Sequence, residues 1–181
     1  MGKRLRSLNL NLSRARSTDQ LPLGRRQLLI VEDSSVIAVK LSRVLTFAGA
    51  DIVGPVATVK AAIEAIGATR QIDAALLDVD LRGELAFGVA EALVARHVPL
   101  LFLTGYDVKA LPEPWREWPL MQKPFASKDI VYAVRAAIAA GPRALQDKPG
   151  GSLASGDRRI FDAMNSSRNL IMESRIIRQK D

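Results

Sequence analysis

The chain has 181 residues, 48% of them hydrophobic, with no cysteine, one histidine and a formal net charge of +7. That length provides one ordinary domain plus a remainder. The missing cysteines exclude disulfides and thiol catalysis, and a lone His97 speaks against a histidine metal site or a Ser-His-Asp triad.

The charge is unevenly placed. Residues 1–26 carry seven Lys/Arg against one acid, 27–140 eleven against thirteen, and 141–181 eight against five. The basicity therefore belongs to the ends, while the centre is mildly acidic. Basic ends of this kind read as solvated tails, so no specific nucleic-acid binding is expected. No apolar run is long enough to span a bilayer. Nothing points to secretion, and the expected location is the cytoplasm.

Residues 1–26 read as a basic, flexible tail. They are Arg- and Ser-rich and acid-poor, like an organelle transit peptide, but lack the apolar stretch of a secretory signal. Arg6 stands where a myristoylation signal needs Ser or Thr. From Gln27 the pattern is regular. QLLIV (27–31) is an apolar strand ending at Glu32-Asp33. Ile37, Leu41, Val44, Leu45 and Ala48 follow at helical spacing, closed by Gly49. DIVGPVA (51–57) is a second strand, and Thr58 caps a helix with Val59, Ala62, Ile63 and Ile66 on one face. DAALL (73–77) is the third strand, and Leu85, Val89, Ala92 and Leu93 line the next helix. PLLFL (99–103) is the fourth strand. Residues 107–118 hold Pro112 and Pro114 with Trp115 and Trp118, so any helix there is short. PLMQ (119–122) is the fifth strand, and Ser127 caps a last helix carrying Ile130, Val131, Val134 and Ile138.

Strand and helix thus alternate five times at intervals of roughly 20–25 residues, the pattern of repeated βαβ units. Strands this apolar are buried on both faces, which implies a parallel sheet with helices on each side. The expected architecture is a doubly wound α/β fold, with its site at the carboxyl ends of the strands.

Those strand ends carry chemistry. The first ends in Glu32-Asp33, the third in Asp78, the fourth in Thr104-Gly105 and the fifth in Lys123-Pro124. Crowded carboxylates repel, a hard divalent cation relieves that cost, and oxygen-only ligands select Mg²⁺. A carboxylate beside Mg²⁺ can attack a phosphoryl group and form an acyl phosphate. The metal, the Lys123 ammonium and the Thr104 hydroxyl can then share the three phosphoryl oxygens, and Gly105 leaves room for approach. Asp78 is the expected acceptor. Each element alone is weak, since a strand-terminal Asp or Thr is often a cap; five in order make a joint signal.

The stretches LLIVEDSSVIA, ALLDVDLRG, LFLTGYD and MQKPF resemble the receiver domain of bacterial two-component response regulators. The resemblance covers about residues 27–140. It implies a flavodoxin-like (βα)5 fold of strand order 2-1-3-4-5. It implies phosphorylation of Asp78 by a histidine kinase or phosphotransfer protein. It also implies Mg²⁺ at Asp33, Asp78 and the backbone carbonyl of Asp80, with Glu32 acting through water. Lys123 and Thr104 match the phosphate-sensing positions, and the Lys-Pro bond of the family is usually cis. Such a domain catalyses its own phosphorylation and dephosphorylation but is not a turnover enzyme. Two features depart from the common pattern. Leu120 occupies the switch position where Tyr or Phe is usual, and the fourth helix is short and Pro-rich. With LTGYD, these features resemble a subgroup named for a Phe-Ala-Thr-Gly-Tyr motif, often stand-alone and linked to general stress signalling, although Leu103 replaces its Ala. A downstream protein partner is expected on the face around strands four and five.

Two other classes compete. LLDVDLRG also fits the Asp-x-Asp strand of haloacid-dehalogenase-type phosphatases. There, however, the nucleophilic strand comes first, Arg82 stands where Thr or Val is usual, and the acidic metal pair follows the lysine. A pseudo-receiver, a binding module that never carries phosphate, is the other; the intact acceptor set argues against it. No Gly-x-Gly-x-x-Gly or P-loop supports a nucleotide enzyme. Residues 141–157 read as a Gly/Pro/Ser-rich linker. Residues 158–181 read as a short helix with Ile160, Met164, Leu170, Ile171 and Ile177 on one stripe. That helix could pack on its own domain, bind a partner or dimerise, but a helix-turn-helix output domain needs more helices than this.

Overall fold

The computed structural model describes residues 21–143. The expected C-terminal helix at 158–181, most of the linker and residues 1–20 lie outside the described residues.

Five parallel strands form the central sheet: β1 (Gln27–Val31), β2 (Asp51–Val56), β3 (Ala74–Asp78), β6 (Leu100–Thr104) and β7 (Leu120–Gln122), in the order β2-β1-β3-β6-β7. Counting only these strands, the order is the expected 2-1-3-4-5. Alternation within each strand divides the core in two. Leu29, Val31, Ala75, Leu77, Leu100 and Phe102 face one side. Leu28, Ile30, Ala74, Leu76, Leu101 and Leu103 face the other. Successive side chains of a strand point to opposite faces, so a strand apolar at every position needs a cover on both.

On the second side lie α1 (Ser35–Phe47) and α5 (Ser127–Ala140), which seal it with Leu41, Leu45, Ile130 and Val134. On the first side lie α2 (Val59–Ala68), α3 (Phe87–Ala95) and the four-residue α4 (Glu113–Arg116). Thr58 caps α2 as expected, its Oγ1 accepting from the Ala61 N–H at 3.1 Å. The other end of α2 is held by a residue from α3's terminus: the Arg96 guanidinium donates to the carbonyls of Ile66, Thr69 and Arg70.

The short α4 is anchored by rings. Trp115 is fully buried, stacked on Phe87 at 5.9 Å, edge-on to Phe102 at 5.6 Å and beside Trp118 at 5.3 Å. Its Nε1–H is buried without a hydrogen-bond partner. Leaving such a donor unpaired costs about 1–3 kcal/mol, so the ring is held there by packing alone.

Three local readings need correction. Ser127 does not cap α5: Ala126 holds the cap position, without a side-chain bond, and Ser127 is the first helical residue. Leu85 is not on the third helix, which begins at Phe87. It lies on β5 (Glu84–Leu85), paired antiparallel to β4 (Asp80–Leu81). The intervening Arg82 and Gly83 both have positive φ, 59° and 90°, the conformation of a two-residue hairpin turn. The fold also reaches back before β1. Leu23 is buried, its N–H donating to the Ala48 carbonyl at 2.9 Å, and the Arg25 N–H donates to the Gly49 carbonyl at 2.7 Å. A Cβ on Gly49 would come within 2.7 Å of Leu21 Cβ, so this close approach requires glycine.

Candidate functional site

The parallel sheet puts all of its carboxyl ends on one edge, and backbone bonds fix each functional residue there. The Glu32 N–H donates to the Val56 carbonyl at 2.9 Å, that of Val79 to Leu103 at 3.1 Å, and that of Lys123 to Thr104 at 2.7 Å. The site residues therefore sit on a lattice set by strand register.

Lys123 is the centre of the group. Its Nζ lies 2.6 Å from Asp78 Oδ2 and 2.6 Å from Glu32 Oε2. Glu32 and Asp78 are both buried, and Glu32 Oε1 also accepts from the Ser34 N–H at 3.2 Å. Asp78 Oδ1 accepts from the Asp80 N–H at 3.3 Å. Asp33 is more open and faces Arg82 across 3.8 Å. One carboxylate oxygen from each of Glu32, Asp33 and Asp78 can lie within 4.8 Å of the others. Thr104 is fully buried, and its Oγ1 accepts from the Tyr106 N–H at 3.0 Å, which leaves the hydroxyl proton free to point elsewhere. A Cβ built on Gly105 would meet nothing within 4 Å, so the space beside it is open.

Burial pushes the Asp78 carboxyl up to about 7, with Glu32's charge adding to the rise and Lys123's attraction opposing it. Burial also works against the Lys123 ammonium. The Asp78 and Glu32 carboxylates outweigh it and hold Lys123 above the usual lysine range. The group is thus short of positive charge: two buried carboxylates share one ammonium.

Every residue singled out in the sequence arrives at this edge: Glu32, Asp33, Asp78, Asp80, Thr104 and Lys123. The Lys123–Pro124 bond is cis, as the resemblance implied, and so is Gly54–Pro55, which the sequence did not announce. Leu120 pairs with Phe102 across the sheet and is only partly buried against the aromatic cluster. Sequence reasoning reached Tyr106 only as the tyrosine of LTGYD and gave its side chain no partner. Its phenol donates to Asp80 Oδ2 at 2.6 Å and its ring is almost wholly buried.

No family model matches the chain, and no curated protein matches it. Solved structures do. SdrG from Sphingomonas melonis Fr1 is 41% identical over 63% of this chain and 96% of its own, with a TM-score of 0.56. The BeF3-activated conformation of SdrG, from Pseudomonas melonis Fr1, is 42% identical over 62% and 94%, with a TM-score of 0.54. The REC domain of the Erythrobacter litoralis response regulator PhyR is 27% identical over 72% and 98%, with a TM-score of 0.58. The receiver domain of the sensor histidine kinase PA1611 from Pseudomonas aeruginosa PAO1, solved with a magnesium ion coordinated in its active-site cleft, shares the fold at 23% identity over 63% and 98%, with a TM-score of 0.52. A five-stranded sheet in this order, an acidic edge closed by one lysine, and likeness across nearly the whole of each neighbour lead to one family: the chain belongs to the response regulator receiver domains.

Proposed function

We propose that the chain is a phosphorylation-controlled single-domain response regulator. Asp78 accepts a phosphoryl group from a histidine kinase or phosphotransfer protein, and the loaded domain signals by contact with another protein. The observation that carries this reading is Lys123 Nζ at 2.6 Å from both Asp78 and Glu32, one ammonium between two buried carboxylates.

Transfer begins with Asp78 Oδ attacking the phosphorus of a phosphohistidine. The P–N bond breaks, its electron pair stays on the ring nitrogen, and that nitrogen takes up a proton. Lys123 can then leave the carboxylate for a phosphoryl oxygen, and the Thr104 hydroxyl can donate to another. The open side at Gly105 supports the approach of the group.

Mg²⁺ fits the donor set. Oxygens around an octahedral Mg²⁺ at 2.0–2.1 Å stand at most about 4.2 Å apart. The carboxylate oxygens of Asp33 and Asp78, within 4.8 Å of each other, need only a small closure. Asp33, Asp78 and the Asp80 backbone carbonyl would hold the ion, with Glu32 linked through water. When bound, it supplies the positive charge that the two buried carboxylates lack. The output partner would meet the face around β6 and β7. Val108 and Tyr132, on the segments flanking β7, are exposed and support that choice. No helix among the described residues is long and apolar enough to cross a membrane.

Incubation with acetyl phosphate and Mg²⁺, read by intact mass, tests the reading. Wild type gains one phosphate and Asp78→Asn gains none; equal labelling of the two would remove Asp78 from its role. Lys123→Ala should still bind Mg²⁺ but lose the link between the phosphoryl group and conformation.

A further inference from the structure

The hairpin after Asp78 carries a second cation to this edge. β4 and β5 pair antiparallel, Asp80 against Leu85 and Leu81 against Glu84, and the Ala86 N–H closes the loop onto the Val79 carbonyl at 3.0 Å. Arg82 stands at the tip with φ 59°. Positive φ is uncommon for a long side chain, and Asn-Gly is the pair that such a turn prefers. The turn itself therefore does not call for arginine. What the arginine does instead is visible in its side chain, whose Nε lies 3.8 Å from Asp33 Oδ2.

The pairing divides the charges of the site. Lys123 is engaged by Glu32 and Asp78, and Asp33 faces Arg82. The Arg82 side chain is 69% exposed, so the guanidinium comes from the solvent side and can withdraw without disturbing the hairpin. Asp33 is also one of the residues that would hold Mg²⁺. An ion about 2.1 Å from the Asp33 carboxylate would stand on the order of 6 Å from a guanidinium left in place. Charges of +1 and +2 at that separation in water repel enough to change affinity about tenfold. If the guanidinium withdraws, its pairing with Asp33 is lost instead. Both routes weaken metal binding.

We propose that Arg82 competes with Mg²⁺ for Asp33 and thereby sets the metal affinity of the site. The inference rests on the reading in which Asp33 and Asp78 hold the ion. Arg82 is not a ligand. It balances Asp33 until an ion arrives and gives that carboxylate up as the ion binds, so the tip of the hairpin changes partner when the site loads.

The test titrates Mg²⁺ into full-length wild type, Arg82→Asn, Arg82→Lys and Asp33→Asn, with binding read from the amide NMR shifts of Val79 and Gly105. Asparagine removes the charge and suits the turn, and thermal melts check that each variant keeps the fold. At about 0.01 M salt, Arg82→Asn should bind Mg²⁺ about five- to tenfold more tightly than wild type. Arg82→Lys should stay near wild type, because an ammonium competes in the same way. The gap between wild type and Arg82→Asn should nearly close at about 1 M salt, where charges 6 Å apart are screened; a purely structural role would not respond in that way. Equal or weaker binding by Arg82→Asn at low salt overturns the proposal. So does an Arg82→Lys variant as tight as Arg82→Asn, or a gap that salt leaves unchanged. Mg²⁺ binding by wild type that Asp33→Asn does not weaken would instead overturn the assignment of Asp33 to the metal, and the proposal with it.

Discussion

The two faces of the sheet are built differently. One is covered by two long helices, α1 and α5, and its buried residues are Leu, Ile, Val and Ala throughout. On the other face, the corner beside β6 and β7 has a helix of only four residues, and four aromatic rings fill the volume a longer helix would have taken. The aliphatic face is closed by residues of regular elements, Leu41 and Leu45 of α1 with Ile130 and Val134 of α5. The aromatic corner hangs on the chain that leaves Thr104 and returns at Leu120. On the proposed function, a pull on Thr104 or Lys123 would be passed into that corner, with the α1/α5 face as its frame.

Removing the largest ring tests this contrast most severely. Trp115→Ala should cost about 3–5 kcal/mol in urea unfolding, and Leu45→Ala on the opposite face about 2–5 kcal/mol. The informative difference is functional. The tryptophan variant should lose the change that a phosphoryl mimic produces across 104–120, and the leucine variant should keep it. If both variants keep it, the corner is not the responsive element.

A smaller effect is the response itself. With beryllium fluoride and Mg²⁺, hydrogen exchange and tryptophan fluorescence should change across 104–120 in wild type but not in Asp78→Asn, with a coupling of about 1–3 kcal/mol. Leu120→Ala should leave phosphorylation intact, because leucine cannot act as an aromatic switch with a hydroxyl. A response confined to residues 158–178 would move the output away from this corner altogether.

The smallest effect concerns the seam between the faces, where Asp78 sits. Its carboxyl is raised from 3.8 to about 7, so ionisation costs more in the folded chain than in the unfolded one. Metal-free protein should thus lose stability as pH rises from about 4 to 7. Asp78→Asn should melt a few degrees higher than wild type at pH 8 without divalent ions, and Mg²⁺ should narrow the gap. A variant that melts lower under those conditions would show that the Lys123 pair outweighs the burial.

Much of this was legible in the sequence because strands buried on both faces have little choice of residue. An apolar run that stops at Glu32-Asp33, Asp78, Thr104 or Lys123 announces both the strand and the site at its end. What stayed hidden depends on partners distant in the chain. Trp115 and Trp118 were read as signs of a short helix, but nothing nearby shows that Phe87 and Phe102 complete their cluster. Arg96 looks like a surface cation until three carbonyls from residues 66–70 meet it. The hairpin at 80–85 was missed because Arg-Gly is a less common pair for its turn than Asn-Gly. Asp80 was counted for its backbone, and its side chain became meaningful only when Tyr106 arrived from 26 residues away.

The packing of residues 21–26 has a practical consequence for anyone who shortens or fuses this chain. A cut at Gln27, where the first strand begins, would delete Leu23 and its bond to the Ala48 carbonyl, along with the Arg25 bond to Gly49. It would open the end of α1 to water and leave Gly49 shaped for a neighbour no longer present. A tag joined before Leu21 keeps that plug in place; one joined at Gln27 replaces it with foreign sequence, on the side of the sheet that the rest of the domain relies on as its frame.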